Sequence, residues 1–140
     1  MIVLDTNVFS ELMESEPAPA VRAWINGQDI RQIHITAVTL YEVQYGIEIL
    51  EKGKRRRGLE DALFRTLIWP LEQRVLPFAD SAALSAAEMS AKRKRAGRPI
   101  GLADAQIAGI VRTNSGVLVT RDVDDFSGLS LTIINPWEAQ

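Results

Sequence analysis

The sequence predicts an α/β protein in which a mainly parallel, five-stranded sheet lies between helices as a three-layer α/β/α sandwich. Five short apolar runs, rich in β-branched residues, alternate with amphipathic helical segments along the 140 residues. The apolar runs are nearly free of polar residues, as strands are when both faces of their sheet are covered. Strands that alternate with helices are joined by right-handed crossovers, which place neighbouring strands parallel.

The predicted strands are short and are bounded by polar or helical segments. The first of them ends abruptly at Asp5, and a first strand is often central in such a sheet. Ligands of parallel sheets bind beyond the carboxyl ends of the strands, where the strand order reverses. The predicted strands are residues 2–4, 33–36, 75–76, 117–120 and 131–134.

The predicted helices lie between these strands and have identifiable ends. Pro17 follows the first helix, and Gly27 and Gly97 are placed to end the second and the fifth. No internal repeat, low-complexity tract or long linker divides the chain, so residues 1–140 are expected to form one domain. The predicted helices are residues 8–14, 20–26, 38–50, 59–68, 81–96 and 102–113.

Composition excludes several classes of protein. Apolar residues make up 46% of the chain, enough for a hydrophobic core, and the absence of cysteine excludes disulfides and thiolate metal sites. No run approaches the roughly 20 apolar residues of a membrane span, and the first apolar run is too short for a secretory signal. The chain is therefore expected to be cytoplasmic, without a membrane partner.

Basic residues are distributed unevenly, although the net charge is −2. Ten of the 16 lysines and arginines lie within residues 52–57 and 92–98. Such clusters can create a basic face on an acidic protein, or they can simply be solvated helix ends.

Two acidic residues come directly after strand-like runs. Asp5 follows the first strand, where Asp is also a favoured helix cap. Asp122 follows the fourth strand and Arg121, in a turn that also contains Asp125. Both positions have an ordinary structural explanation when each is taken alone.

Two further acids lie on helix faces with small or apolar neighbours. Glu42 has Val38, Thr39, Tyr45 and Gly46 three and four residues away. A carboxylate in such surroundings needs a cation or hydrogen-bond donors, unless its side chain extends to solvent.

Asp104 lies in the first turn of the sixth helix, where the helix dipole favours a negative charge. Ala105, Ala108 and Gly109 would allow another element to approach that helix closely.

Convergence of these acids at one edge of the sheet predicts a divalent-cation site. Clustered carboxylates repel one another, and Mg²⁺ or Mn²⁺, which prefer carboxylate and water oxygens, would offset that repulsion. Such an ion can activate water and hold phosphate oxygens for phosphodiester hydrolysis. The only histidine, His34, lies in a strand and suits the core or a strand edge better than a catalytic base, and no glycine-rich phosphate loop is present.

The chain resembles the PIN-domain ribonuclease family, specifically the VapC and FitB-like toxins of type II toxin-antitoxin systems. The resemblance covers nearly the whole chain and rests on segments in a characteristic order. These are MIVLDTNV at residues 1–8, TLYEVQYG at 39–46, IGLADAQIA at 100–108, TRD at 120–122 and INPW at 134–137.

The resemblance implies a flavodoxin-like fold and a metal-dependent endoribonuclease that uses Mg²⁺ or Mn²⁺. It assigns the catalytic, metal-binding acids to Asp5, Glu42, Asp104 and Asp122, with Asp125 as a substitute for the last. It adds Thr6, Asn7 and Thr120 as supporting residues. It also implies a homodimer, a cognate antitoxin, and operator DNA bound only through the antitoxin complex.

The basic clusters suggest how such a protein could hold an RNA substrate. Arg55, Arg56, Arg93 and Arg95 are the candidate RNA-binding residues, because basic side chains grip a phosphate backbone. An acidic antitoxin segment is the other candidate partner for them.

An apolar stripe follows the first basic cluster. Leu59, Leu63 and Leu67, with Phe64 and Trp69, suit core packing better than a dimer or antitoxin contact.

Two other functions compete with a nuclease. A haloacid-dehalogenase-type phosphatase also begins with a strand and Asp, but it needs a second Asp where this chain has Asn7. A catalytically silent, PIN-like binder of RNA or protein is the stronger alternative, although all four acidic positions are filled.

Overall fold

The computed structural model describes residues 1–68 and 74–139. Trp69, one member of the predicted apolar stripe, lies outside these ranges. The strands are β1 (Ile2–Leu4), β2 (Ile33–Thr36), β3 (Val75–Leu76), β4 (Val117–Val119) and β5 (Thr132–Ile134). The α-helices of the described ranges are α1 (Thr6–Met13), α2 (Pro19–Asn26), α3 (Ala37–Glu48), α4 (Lys54–Ile68), α5 (Asp80–Arg95) and α6 (Leu102–Thr113).

The five strands form a parallel sheet, as predicted, and their order is β3-β2-β1-β4-β5. β1 is central, with Val3 paired with His34 of β2 on one side and with Leu118 of β4 on the other. The strand order therefore reverses at β1, and Asp5 stands at the crevice where ligands of such sheets bind.

Both faces of the sheet are covered, which explains why the central strands β1 and β4 are apolar throughout. Val3 and Leu118 point into a core formed with α5 and α6. Leu4 and Val119, one residue further along, point into a second core formed with α1 to α4. Side chains alternate between the two faces of a strand, so each strand needs apolar residues at every position.

Two helices begin more than one residue earlier than predicted. α1 starts at Thr6 rather than residue 8, because Asp5 caps it directly: its Oδ1 accepts from the Thr6 N–H at 2.8 Å. α4 starts at Lys54 rather than residue 59, so most of the first basic cluster is helical. Lysine and arginine are good helix formers, which favours this extension despite their unfavourable position at a helix N-terminus.

The apolar stripe of α4 packs mainly into the core, as predicted. Leu63 is buried, and Leu59 and Leu67 pack against the same cluster as Leu4 and Val119. Phe64 is 64% exposed and lies outside that core.

Helices α5 and α6 pack unusually closely. A Cβ atom added to Gly109 of α6 would collide with the backbone carbonyl of Ala82 and lie 3.0 Å from the Ala86 Cβ. The small residues that the sequence places on α6 therefore allow contact with α5, which holds Asp104 against the sheet. No helix of the described residues is long and apolar enough to cross a bilayer.

Candidate active site

The predicted acids converge at the carboxyl edge of the sheet. Asp5 follows β1, Glu42 lies on α3, and Asp104 lies in the first turn of α6. Asp122 caps the short 3₁₀ helix Val123–Phe126, and Asp125 lies within it. The charges of the other four acids all act on the Asp104 carboxyl. The topology thus brings together side chains from four separate parts of the chain.

Asp5 is the most enclosed acid, with 5% of its surface exposed. Its Oδ1 accepts from the Thr6 N–H at 2.8 Å, and its Oδ2 accepts from the Thr120 hydroxyl at 2.7 Å and from Asn7 Nδ2 at 3.1 Å. Burial raises the pKa of Asp5, and the charges of Glu42 and Asp122 raise it further, against the opposing effect of the hydrogen bonds. The donors hold Asp5 in place and leave a lone pair on Oδ1.

Asn7 and Thr120 connect Asp5 to Asp122. The Nδ2 of Asn7 lies 3.0 Å from Asp122 Oδ2 and 3.1 Å from both Asp5 Oδ2 and Thr120 Oγ1. The Thr120 hydroxyl also accepts from the Asp122 N–H at 3.0 Å. The hydroxyl of Thr120 therefore donates once and accepts twice, which uses its full hydrogen-bonding capacity.

Threonine hydroxyls support Glu42 on the other side of Asp5. The Thr6 hydroxyl donates to Glu42 Oε1 at 2.7 Å and lies 3.4 Å from the Thr39 hydroxyl. Thr39 in turn lies 3.2 Å from the hydroxyl of Thr36, and both are fully buried. Sequence reasoning did not select Thr36, although it ends β2 just as Asp5 follows β1 and Thr120 follows β4.

The carboxylate of Asp104 lacks hydrogen-bond support. No described residue donates a hydrogen bond to its carboxylate, which is half-buried. Desolvation, and then the charges of Asp5, Asp125, Glu42 and Asp122, raise the pKa of Asp104 to about 6. A nearby cation would relieve both causes, because it would compensate the buried charge and the repulsion together.

The donor set suits a hydrated Mg²⁺ or Mn²⁺ better than a metal enclosed by protein ligands. Within residues 1–68 and 74–139, no three His, Asp or Glu side chains are arranged to ligate one ion. Mg²⁺ is usually bound through one or two carboxylates and keeps several waters, and the side chains that converge here offer oxygen atoms. Asp5 and Asp104 are the acids best suited to such binding.

Arg121, which the sequence analysis did not select, orients the amide of Asn7. Its backbone N–H donates to Asn7 Oδ1 at 3.2 Å, which directs Nδ2 toward the carboxylates. Its guanidinium lies 3.9 Å from the centre of the Trp137 ring and 3.9 Å from Glu11 Oε2. The C-terminal INPW segment therefore contacts the loop that contains Asp122.

The four arginines predicted to bind RNA have different environments. Arg55 and Arg95 are exposed. Arg56 pairs with Glu48 and Glu60 within its own part of the chain, at 2.7 and 2.8 Å.

Arg93 requires a correction. It is only 8% exposed, and its guanidinium donates to three backbone carbonyl oxygens. Because Nε and Nη1 already bond backbone carbonyls and little of the side chain is exposed, Arg93 is removed from the RNA-binding candidates.

Comparison with known proteins agrees with this fold. The PIN domain family model matches residues 2–130, so the chain belongs to the PIN domain family. The chain is 42% identical over 138 residues to the VapC ribonuclease Y4jK of Sinorhizobium fredii, covering 99% of each. It is 31% identical over 137 residues to the toxin FitB of Neisseria gonorrhoeae, covering 98% of this chain and 99% of FitB.

The solved structures that it resembles include toxin-antitoxin complexes. A FitAB complex bound to an IR36 DNA fragment contains a chain that matches with a TM-score of 0.92 and 30% identity. That match covers 100% of this chain and 98% of the other. The chain is thus similar along its whole length to VapC and FitB toxins, as the sequence motifs indicate.

Proposed function

We propose that the protein is a metal-dependent endoribonuclease toxin that hydrolyses RNA phosphodiesters with Mg²⁺ or Mn²⁺. The observation that carries the proposal is the convergence of four other carboxylates on Asp104, which lacks a described donor and has a raised pKa. The ribonuclease name of the 42% identical relative supports RNA as the substrate.

In this proposal Asp5 and Asp104 hold the ion, with Glu42 and either Asp122 or Asp125 completing the acidic cleft. When bound, such an ion would lower the pKa of a water ligand and neutralise phosphate charge. Thr6, Asn7 and Thr120 keep the carboxylates oriented through the hydrogen bonds described above. A carboxylate of the cleft can then accept a proton from the attacking water.

The cavities beside Glu42 offer an RNA strand a route out of the acidic cleft. Glu42 borders a small cavity of about 170 Å³, which shares Met13, Glu14 and Leu59 with a larger one of about 750 Å³. Lys54, Arg55 and Arg65 line the larger cavity. A strand that enters the acidic cleft would meet these cations along one continuous surface, which supports phosphate contacts by Arg55.

We also propose a cognate antitoxin as partner, with operator DNA bound through the toxin-antitoxin complex. The similarity to the chain in a DNA-bound FitAB complex supports this. A homodimer and a cytoplasmic location remain predictions.

Cleavage of a mixed small-RNA pool tests the proposed reaction. Antitoxin-free wild type is compared with Asp5→Asn, Asp104→Asn and the control Asp61→Asn, which alters an exposed acid on α4. Each protein is assayed with Mg²⁺, with Mn²⁺ and with excess EDTA. Metal-dependent cleavage by wild type and Asp61→Asn, lost in the other two variants, supports the proposal.

Other outcomes of this assay contradict it. Equal cleavage by all four proteins would indicate a contaminating nuclease, and cleavage that resists EDTA would exclude the metal mechanism. RNA binding without cleavage by any protein would favour the silent regulator.

Salt-dependent RNA binding tests this route, with cleavage blocked by Asp104→Asn. Removing one phosphate contact should reduce the slope of log affinity against log salt by about 0.7 for a single strand. Arg55→Gln and Arg65→Gln should each show this loss, whereas Arg57→Gln, an exposed control on the same helix, should not. Equal slopes for all three variants would contradict the route.

A further inference from the structure

We infer that Arg93 is a positioning residue, whose buried guanidinium fixes the Asp125 segment and the loop before the Asp104 helix relative to each other. The inference rests on the proposed metal site. It concerns an arginine that the sequence predicts to contact RNA at the surface.

Arg93 connects three parts of the chain. It lies on the last turn of α5, its Nε donates to the Arg98 carbonyl oxygen at 2.6 Å, and its Nη1 donates to the carbonyl oxygens of Asp125 and Ser127 at 2.8 and 3.0 Å. The backbone N–H of Arg98 returns a hydrogen bond to the Arg93 carbonyl at 2.9 Å. A planar guanidinium with fixed donor directions holds such acceptors in one geometry, which a lysine ammonium cannot do.

Both ends of this clamp lead to acids of the cleft. At one end, Arg93 holds the carbonyl of Asp125, and the charge of Asp125 acts on Asp104. At the other end, Arg98 lies three residues before Gly101, which caps the N-terminus of α6. Phe126, between the two clamped carbonyls, is buried in the core with α6. The segment that contains Asp125 is therefore fixed by Phe126 on one side and by Arg93 on the other.

The burial of Arg93 indicates a specific task. A charged side chain is costly to bury unless hydrogen bonds replace its hydration, and here backbone carbonyls supply them. Its neighbours Lys92, Lys94 and Arg95 are exposed, as expected at a helix C-terminus. A cation needed only for the helix dipole would not require burial.

Mn²⁺ affinity, measured by calorimetry on purified full-length protein, tests the inference. Residues that orient metal ligands typically change metal affinity by 10–100-fold when they are replaced. Arg93→Met is expected to weaken Mn²⁺ binding at least 10-fold at a temperature where the variant remains folded. Arg93→Lys is expected to weaken binding as well, and it serves if the Met variant does not fold.

Arg56→Met is the matched control, because Arg56 is also a largely enclosed arginine that bonds to two backbone carbonyls. It should lower the melting temperature without changing Mn²⁺ affinity. A double-mutant cycle with Asp125→Asn then shows whether Arg93 acts through Asp125. In that background, a smaller effect of Arg93→Met would assign its action to the Asp125 segment, and an undiminished effect would assign it to the loop before α6.

Two results would overturn the inference. The first is an unchanged Mn²⁺ affinity in folded Arg93→Met, which would make the residue purely structural. The second is an equal loss of Mn²⁺ affinity in Arg56→Met, which would make the effect a general consequence of lost stability. Failure of the metal site itself can be told apart from failure of the inference. In that case wild type and Asp104→Asn would show no difference in Mn²⁺ binding, and the inference would fall with the site.

Discussion

Replacement of Asp104 by Asn should stabilise the metal-free protein at pH 7.5. The carboxylate of Asp104 is half-buried, receives no hydrogen bond from a described residue, and is repelled by four other acids. Its pKa is raised from 3.8 to about 6, so the folded state disfavours the ionised form. An amide of the same shape carries no charge and avoids that cost.

The size of the effect follows from the pKa difference. Each pKa unit corresponds to 1.36 kcal/mol, so the shift sets an upper limit of about 3 kcal/mol on the cost of ionising Asp104. Asp104 is half-exposed, and solvent screening reduces this figure. We expect Asp104→Asn to raise the free energy of unfolding by about 1–1.5 kcal/mol at pH 7.5.

The pH dependence has a definite sign. A raised pKa means that protonated Asp104 contributes stability below about 3.8, and that this contribution is lost as the pH rises through about 6. Wild type and variant should therefore differ most above pH 6, and the difference should shrink as the pH falls toward 4.

Urea denaturation in EDTA at pH 7.5 and pH 4.5 measures both quantities. Excess Mg²⁺ should stabilise wild type at pH 7.5 and should have little effect on Asp104→Asn, since binding to the native state stabilises it. A variant less stable than wild type at pH 7.5, or a difference that does not vary with pH, would refute this electrostatic reasoning.

Two further predictions concern packing and hydrogen bonding. Gly109→Ala should lower the free energy of unfolding by about 3 kcal/mol, because the added Cβ would collide with the backbone carbonyl of Ala82, which cannot move aside. Gly46→Ala should be neutral or stabilising by up to about 1 kcal/mol, because open space surrounds that position. Urea denaturation of both variants decides this, and equal effects would contradict it. Thr120→Val should cost about 1–3 kcal/mol and reduce RNA cleavage, since Asp5 loses a donor, whereas Thr120→Ser should restore both. Full cleavage by the Val variant would show that the hydroxyl is dispensable.

The sheet was predictable because each strand is buried on both faces. Apolar residues at consecutive positions, such as Val3 and Leu4, indicate a covered parallel strand. The acids were predictable for a related reason: Asp5 and Asp122 follow such strands, so the topology alone brings them to one edge.

The support around these acids was harder to predict, since it depends on contacts between distant residues. Nothing local distinguishes Thr36 from other threonines, or shows that the backbone of Arg121 orients Asn7. The prediction that Arg93 binds RNA was wrong, because its position in a basic run resembles a solvated helix end. Only the folded chain brings the carbonyls of Asp125 and Ser127 to its guanidinium.

Asp122 and Asp125 are both candidates for the fourth acid of the metal site, and they differ in their contacts. Asp122 contacts Asn7 on the Asp5 side of the cleft, whereas the charge of Asp125 acts on Asp104. Sequence spacing could not separate them, because one short 3₁₀ helix presents both acids to the same cleft.

The position of a bound ion is the most direct measure of the central proposal. Crystals of the protein grown with Mn²⁺ would locate the ion by its anomalous scattering. We predict one peak in contact with the carboxylates of Asp5 and Asp104, together with several water ligands. Anomalous density elsewhere, or none at the carboxyl edge of the sheet at saturating Mn²⁺, would contradict the metal site on which the proposed nuclease depends.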